Sequence, residues 1–156
     1  MHAAIDIGIA KAALNDAGQF VREKTRPLIE SGVTRAADEP YLISRFGELS
    51  ISLIAAEALL EKAAAAIDAA HNQLTEETAG EAAVLVDSVK YVATDVVIAI
   101  TNALFEVSGS ASMDEKYNLD RHWRNGRIHT LHDPARWKLN RVGNWALNGI
   151  YPVDKY

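Results

Sequence analysis

The chain has 156 residues, of which 49% are hydrophobic and 24% are charged, and its formal net charge is −5. This length fits a single domain, residues 1–156, that can bury a sizeable core, and the composition excludes a disordered or fibrous protein. The sequence contains no cysteine, so disulfides and thiolate metal sites are excluded as well.

The N-terminal segment does not have the pattern of a secretory signal. It lacks a basic start, and Asp6 interrupts its apolar run. The most apolar window, residues 82–105, contains Asp87, Lys90 and Asp95, whereas a spanning helix needs about 20 mostly apolar residues. We therefore expect a cytoplasmic protein that has no membrane partner.

Positive charge is concentrated near the C-terminus. Residues 116–141 hold seven basic and two acidic side chains, a local charge of +5, so the rest of the chain carries −10. Such a patch indicates a specific bound anion or internal ion pairs. Binding of nucleic acid usually needs a basic surface over a whole domain, so no nucleic-acid partner is expected.

Apolar residues recur at alternating steps of three and four in three segments, which predicts long helices over Ala3–Lys24, Glu39–Asn72 and Glu76–Val107. Asp38 and Thr75 are suitable N-caps for the second and third of these helices. The three apolar seams are Ile7, Ala10, Leu14, Ala17 and Val21; Leu42, Phe46, Leu49, Leu53, Ala56, Leu60, Ala63, Ile67 and Ala70; and Leu85, Val89, Val92, Val96, Ala99 and Ala103.

Two shorter helices are predicted after a glycine turn at residues 108–112. One covers Asn118–Leu131. The other runs from Pro134 to about Asn148, with Asp133 as its cap and Pro134 in its first turn. Strand signals are absent, so the predicted fold is an all-α, up-down bundle of three long and two shorter helices.

The first short helix has specialised side chains on every face, which is typical of a helix buried between partners. Four polar residues share one face, and a second stripe with Gly126 can pack closely against a neighbour. The polar face is formed by His122, Asn125, His129 and His132, and the packing stripe by Leu119, Trp123, Gly126 and Thr130.

Several interpretations of these residues stay open. The histidines are most simply structural, the arginines ion-paired, and Trp123, Trp137 and Trp145 core or interface residues. A metal site would use His129, His132 and Asp133, because a spacing of three places two imidazoles on one face, but no HExxH motif is present. The sequence also lacks GxSxG, GxGxxG and P-loop motifs.

The segment "LDRHWRNGRIHTLHDPARWKLNRVGNWALNG" strongly resembles the C-terminal end of flavin-dependent monooxygenases built on the acyl-CoA dehydrogenase fold. The dibenzothiophene and sulfone monooxygenase branch is the most similar, with "LHDP" after "RNGRIHT" as its signature. The likeness continues through "HAAIDIGIAKAALNDAGQFVREKTRPL", "YLISRFGELSISLIAAEALLE" and "SVKYVATDVVIAITNALFEVSGSAS". It therefore covers nearly all of the chain.

The resemblance implies that the chain corresponds to one domain of a larger protein. Family members carry an N-terminal helical domain and a middle β-domain before this bundle. Those two domains are absent from the sequence, whose helical pattern already begins at residue 3. We therefore expect a C-terminal domain that is inactive alone.

The resemblance also implies a position for the flavin ring, against residues 129–133. No glutamate lies there, in contrast to many acyl-CoA dehydrogenases, so proton abstraction from an acyl thioester is not favoured. A histidine beside the ring suits a monooxygenase, in which an acid–base group handles the proton of the oxygenated flavin. The predicted catalytic residues are His132 first and His129 second, and Asp133 would cap the next helix or orient an imidazole.

The flavin, either FMN or FAD, would place its phosphate on this domain from a neighbouring subunit. By position in the family, Arg26 follows the first helix and Ser110, Ala111 and Ser112 form the glycine turn that can hold an anion. Arg35 is a weaker candidate on its loop. The remaining arginines, Arg121, Arg124 and Arg127, are interpreted as structural.

The expected partners follow from the family. We expect self-association to a dimer or tetramer and reduced flavin supplied by a separate flavin reductase. Two alternatives remain for the function. The chain could be a stand-alone helical oligomerisation module without catalysis, or it could belong to an acyl-CoA dehydrogenase proper.

Overall fold

The computed structural model describes residues 1–152, and all regular structure within that range is helical. The all-α prediction is confirmed. Four short 3₁₀ turns connect the α-helices, at Ile29–Ser31, Ala36–Asp38, Ser110–Met113 and Glu115–Tyr117. The α-helices are α1, His2–Glu23; α2, Pro40–Asn72; α3, Glu76–Ser108; α4, Asp120–Thr130; and α5, Ala135–Asn148.

The three long helices begin and end within one residue of their predicted limits, because their stop and start signals are local. Thr75 caps α3 through a reciprocal pair of hydrogen bonds: its Oγ1 accepts from the Thr78 N–H at 3.1 Å, and Thr78 Oγ1 accepts from the Thr75 N–H at 3.0 Å. The predicted cap at Asp38 is wrong. Glu39 is the N-cap residue of α2, with Pro40 at N1, and Asp38 instead lies 3.9 Å from Arg35.

The central helix is α3, which contacts α1, α2, α4 and α5. A second apolar seam, offset from the predicted one, explains this position. Its members are almost fully buried, whereas Ala99 of the predicted seam is exposed. Two apolar seams on one helix allow layers of helices on two sides of it. The second seam consists of Ala93, Val97, Ile100, Leu104 and Val107.

Helix α4 packs on α1 and α3 through a stripe with a glycine at its centre. A Cβ atom at Gly126 would lie 2.8 Å from Val97 Cγ2, so only glycine lets the two helices come this close. Leu119 and Thr130 of the same stripe are buried, but Trp123 is 40% exposed. Trp137 and Trp145 are also exposed, so none of the three tryptophans belongs to the core.

Helix α5 begins differently from its prediction. Pro134 is its N-cap residue rather than its first residue, and no side chain of residues 1–152 caps the start of the helix. The predicted capping role of Asp133 is wrong, because its carboxylate lies 3.0 Å from the ammonium group of Lys138. At the other end of α5 the chain folds back, and the Tyr151 ring lies directly over Gly80 of α3. Within residues 1–152, no helix combines the length and apolarity that crossing a membrane requires.

Candidate functional site

Three imidazole rings meet where the end of α4 approaches the start of α1. The ring of His2 lies edge-on to His129, with centroids 5.3 Å apart, and edge-on to His132, with centroids 4.5 Å apart. We call His2, His129 and His132 the histidine cluster. The sequence pattern links His129 to His132 by their helical spacing. It contains no signal for His2, which comes from the opposite end of the chain.

A buried carboxylate lies beneath the histidine cluster. Asp6 of α1 is fully inaccessible to solvent. Its Oδ1 is 2.5 Å from Nδ1 of His129, and its Oδ2 is 2.8 Å from Nζ of Lys90 in α3. Sequence reasoning uses Asp6 only as an interruption of an apolar run. That interruption is itself the missed signal, because a carboxylate on the core-facing side of a helix needs a buried partner.

Partial burial lowers the pKa of His2, and the neighbouring charges of His132, His129 and Lys90 act in the same direction. The lowered pKa favours the neutral form of the His2 ring.

A second buried carboxylate, Asp87 of α3, holds the start of α5. Arg141 donates to both of its oxygens, from Nε at 2.6 Å and from Nη2 at 2.7 Å. Lys138 lies 3.3 Å from Asp87 and 3.0 Å from Asp133. Burial opposes the charge of Lys138, but the hydrogen bond to Asp133 and the charge of Asp87 raise its pKa overall. Asp133 is thereby turned towards α5.

Beside the histidine cluster and Asp87 lies a cavity of about 590 Å³. His2, Lys90, Asp87 and Asp133 line its polar side. Its opposite side is aliphatic and comes mainly from α2 and α3, through Leu60, Ala63, Ala64, Ile67, Val86 and Val89.

The basic C-terminal segment is largely neutralised within the chain. The Asp16 carboxylate of α1 lies 2.5 Å from Nη2 of Arg121 and 2.8 Å from Nε2 of His122. Within α4, Nε of Arg124 lies 2.9 Å from the carboxylate of Asp120. The basic residues of α4 and α5 therefore pair with Asp16 of α1, with Asp87 of α3 and with Asp120 of α4 itself. The metal interpretation of this region gains nothing from the geometry. The rings of the histidine cluster do not form such a site: within residues 1–152, no group of three or more histidine, aspartate or glutamate side chains is placed so that it could hold a metal ion.

At the opposite end of α1 lies a groove of about 820 Å³, which we call the Ser108 groove. It brings together predicted phosphate contacts from two distant parts of the sequence. The Ser108 hydroxyl at its wall is buried and has no hydrogen-bond partner within residues 1–152. The groove is lined by Lys24, Thr25, Arg26, Ser108, Gly109, Ser110, Ala111, Met113, Asp114, Lys116 and Tyr117.

The other two predicted phosphate contacts lie elsewhere. Ser112 is buried, and its hydroxyl donates to the Gly109 carbonyl at 2.6 Å. Arg35 is exposed on its loop beside Asp38. The Ser108 groove is also far from the histidine cluster, because the 22 residues of α1 separate them by about 33 Å at 1.5 Å per residue.

The fold and sequence place this chain in a known family. The sequence model of the family "Acyl-CoA dehydrogenase, C-terminal domain" matches residues 1–137. The chain therefore belongs to the acyl-CoA dehydrogenase C-terminal domain family, and the resemblance inferred from its motifs is confirmed.

Individual relatives indicate which members of the family this chain is similar to. The chain is 41% identical over 153 residues to the dibenzothiophene monooxygenase of Mycolicibacterium goodii, covering 96% of this chain and 37% of that protein. It is similar to the structure of FMN-bound TdsC from Paenibacillus sp. A11-2, with a TM-score of 0.92, 37% identity, and coverage of 96% of this chain and 38% of that one. It is equally similar to the methanesulfinate monooxygenase MsuC of Pseudomonas fluorescens, with a TM-score of 0.93, 37% identity, and coverage of 97% and 40%.

The relatives are thus flavin-dependent monooxygenases that share the acyl-CoA dehydrogenase fold. The chain spans less than two-fifths of the length of the curated relative it matches.

Proposed function

We propose that this chain is the part of an FMN-dependent monooxygenase that supplies its acid–base histidines, and that the whole protein oxygenates a small apolar substrate bearing sulfur or nitrogen. The observation that carries the proposal is the histidine cluster, two members of which, His129 and His132, lie on the segment expected to face the flavin ring. Relatives named for dibenzothiophene and methanesulfinate, both sulfur compounds, support the substrate class.

The solvent exposure and contacts of His132, His129 and Asp133 indicate a different role for each. His132 is exposed, so it can meet a ligand and hold or release a proton there. His129 is a second acid–base group, and Asp133 helps to fix the adjoining turn through Lys138. Bound FMN would supply the redox chemistry with oxygen. Because residues 129–133 contain no glutamate, the proton-handling group is an imidazole rather than the carboxylate of a dehydrogenase.

The residues of the Ser108 groove fit a flavin phosphate. Arg26 and Lys24 provide positive charge, whereas Lys116 is paired with Asp114 at 2.6 Å. The Ser108 hydroxyl, which has no partner within residues 1–152, can donate to a phosphate oxygen. Ser110 and Ala111 open a short helical turn, so their N–H groups lack partners within it. FMN is favoured over FAD because the similar TdsC structure contains bound FMN.

Two copies of the chain are needed to use both ends of the bundle on one flavin. The ribityl chain of FMN is much too short to join the Ser108 groove to the histidine cluster along α1. Isoleucines on the outward face of α2 offer apolar surface for self-association: Ile43, Ile51 and Ile54 are all more than half exposed. Light scattering should give a multiple of 17.0 kDa, and Ile51→Glu should lower it. A mass of 17.0 kDa at micromolar concentration contradicts the dimer or tetramer.

The test of function uses the full gene product that contains this chain. It is incubated with FMN, an NADH-dependent flavin reductase, ¹⁸O₂ and dibenzothiophene, and the product is analysed by mass spectrometry. We expect one labelled oxygen on sulfur. His132→Asn should lower the rate at least about 100-fold, as expected for loss of an acid–base group. The exposed control His71→Asn should not change the rate.

Two results would contradict the proposal. Oxidation of an acyl thioester without incorporation of label would indicate a dehydrogenase. Absence of any flavin-dependent reaction would favour a helical oligomerisation module. The 156-residue chain by itself should be inactive and bind FMN only weakly.

A further inference from the structure

We propose that the buried pair of Asp6 and Lys90 is a positioning device that fixes the tautomer of His129, with the proton on Nδ1 and the lone pair on Nε2. Its role in catalysis rests on the proposed function, but the tautomer itself is a property of the chain without flavin.

The position of the Asp6 carboxylate determines which ring nitrogen of His129 carries the proton. Asp6 is fully inaccessible, and Lys90 is almost so. An unpaired charge in such a place is costly, so the two side chains keep each other ionised. Lys90 occupies Oδ2 at 2.8 Å, and an ionised carboxylate can only accept hydrogen bonds. The contact of 2.5 Å between Oδ1 and His129 therefore requires a donor at Nδ1.

The donor at Nδ1 determines the other nitrogen. In a neutral imidazole one nitrogen carries the proton and the other carries a lone pair. His129 therefore presents Nε2 as its acceptor. The His129 side chain is 23% accessible while its carboxylate partner is inaccessible, so a ligand can approach His129 but not Asp6.

Charged and titratable groups from α1, α3 and α4 surround His129. Asp6 of α1 and Lys90 of α3 carry opposite charges beneath the ring. His2 of α1 lies edge-on to it, and His132 lies beyond His2. The negative charge in contact with the ring is that of Asp6.

Replacing Asp6 by asparagine should invert the tautomer. The Lys90 ammonium has only donors, so it will retain the carbonyl oxygen of the new amide. The amide NH₂ then faces His129 and donates to Nδ1, which must give up its own proton. The ring responds by carrying its proton on Nε2.

A second pair in the same chain provides the matched control. Asp16 also contacts an imidazole, but through Nε2 of His122, at 2.8 Å. Asp16→Asn should alter the spectrum of His122 and leave His129 unchanged. Both aspartates lie on α1, so a general effect of losing an α1 carboxylate would appear in both variants.

The experiment is a long-range ¹H–¹⁵N correlation spectrum of the histidine rings in the ¹⁵N-labelled 156-residue chain. It is recorded at about pH 8.5, two units above the ordinary pKa of histidine, with His129→Gln to assign the signal. We expect a protonated Nδ1 and a bare Nε2 for His129, reversed in Asp6→Asn. A protonated Nε2 in the unmodified chain overturns the proposal even if the variant does not fold. An unchanged tautomer in folded Asp6→Asn overturns it as well.

Activity distinguishes this inference from the proposed function. If the tautomer is as stated and the full gene product oxygenates nothing, the proposed function fails alone. If the full gene product is active, Asp6→Asn should lower kcat by about 100-fold or more with little change in KM, because a misplaced proton impairs acid–base transfer rather than binding. An unchanged kcat would contradict the positioning role.

Discussion

Arg141 of α5 donates two hydrogen bonds, of 2.6 and 2.7 Å, to the carboxylate of Asp87 in α3, which is 3% exposed. This fork is the main polar attachment of a helix that contributes no fully buried residue. Helix α5 therefore depends on a buried ionic contact where α1, α2 and α3 depend on apolar packing.

Asp87→Asn should loosen α5 without unfolding the bundle. Removing one partner of a buried pair typically costs about 3–5 kcal/mol, and α5 has little apolar burial to offset that loss. Hydrogen exchange should show faster exchange of the amides of residues 135–148. The control is Asp120→Asn, which removes the exposed pair with Arg124 and should cost no more than about 0.5 kcal/mol. Equal protection of α5 in both variants would show that the Asp87 contact does not hold the helix.

Gly126→Ala should destabilise the bundle because its new methyl group meets Val97 at 2.8 Å. Overpacking of this kind costs about 1–3 kcal/mol, more than the gain of about 1 kcal/mol from replacing a helical glycine. Gly143→Ala is the matched control, since no atom of residues 1–152 lies within 4 Å of its Cβ position. It should be neutral or stabilising in urea denaturation. Val97→Ala should partly rescue Gly126→Ala, and the absence of any coupling between the two would rule out the contact as the cause.

The lowered pKa of His2 predicts a loss of stability in mild acid. The unfolded chain, with the ordinary value of 6.5, binds the proton more tightly than the folded chain does. The contribution of His2 is therefore present above pH 6.5 and is lost as the pH falls through the folded pKa. Between about pH 7.5 and about pH 5.5, His2→Gln should show a smaller fall in Tm than the unmodified chain. His71→Gln should behave as the unmodified chain, and a steeper fall for His2→Gln would reverse the assigned direction.

Arg26, predicted from its position in the family, and Arg35, the weaker candidate on its loop, should differ in their effect on cofactor binding. A charge-assisted hydrogen bond is worth about 1.5–3 kcal/mol, so Arg26→Ala should raise the Kd for FMN of the full gene product by roughly 10- to 100-fold. Arg35→Ala should leave it unchanged, because Arg35 lies outside the Ser108 groove. Fluorescence titration measures both. A larger effect of Arg35 than of Arg26 would move the phosphate site to the loop.

Local signals account for the parts of the fold that the sequence predicts well. The limits of α1, α2 and α3 follow from apolar periodicity and from Thr75. The failures at Asp38 and Asp133 have a common cause. Each carboxylate was assigned to a nearby backbone N–H, but each lies beside a cationic side chain that competes for it. The exposed position of Ala99 has another cause, since α3 packs against neighbours on more than one side.

The sequence by itself determined the helices, the family and the placement of His129 and His132 on one helical face, because each follows from patterns of residues close together along the chain. Only the tertiary structure decided that His2, Asp6 and Lys90 meet these histidines, since helices α1, α3 and α4 converge there through packing. It also decided that the Ser108 groove lies at the other end of the bundle. The length of α1 separates two sets of residues that a list of sequence candidates would assign to one site.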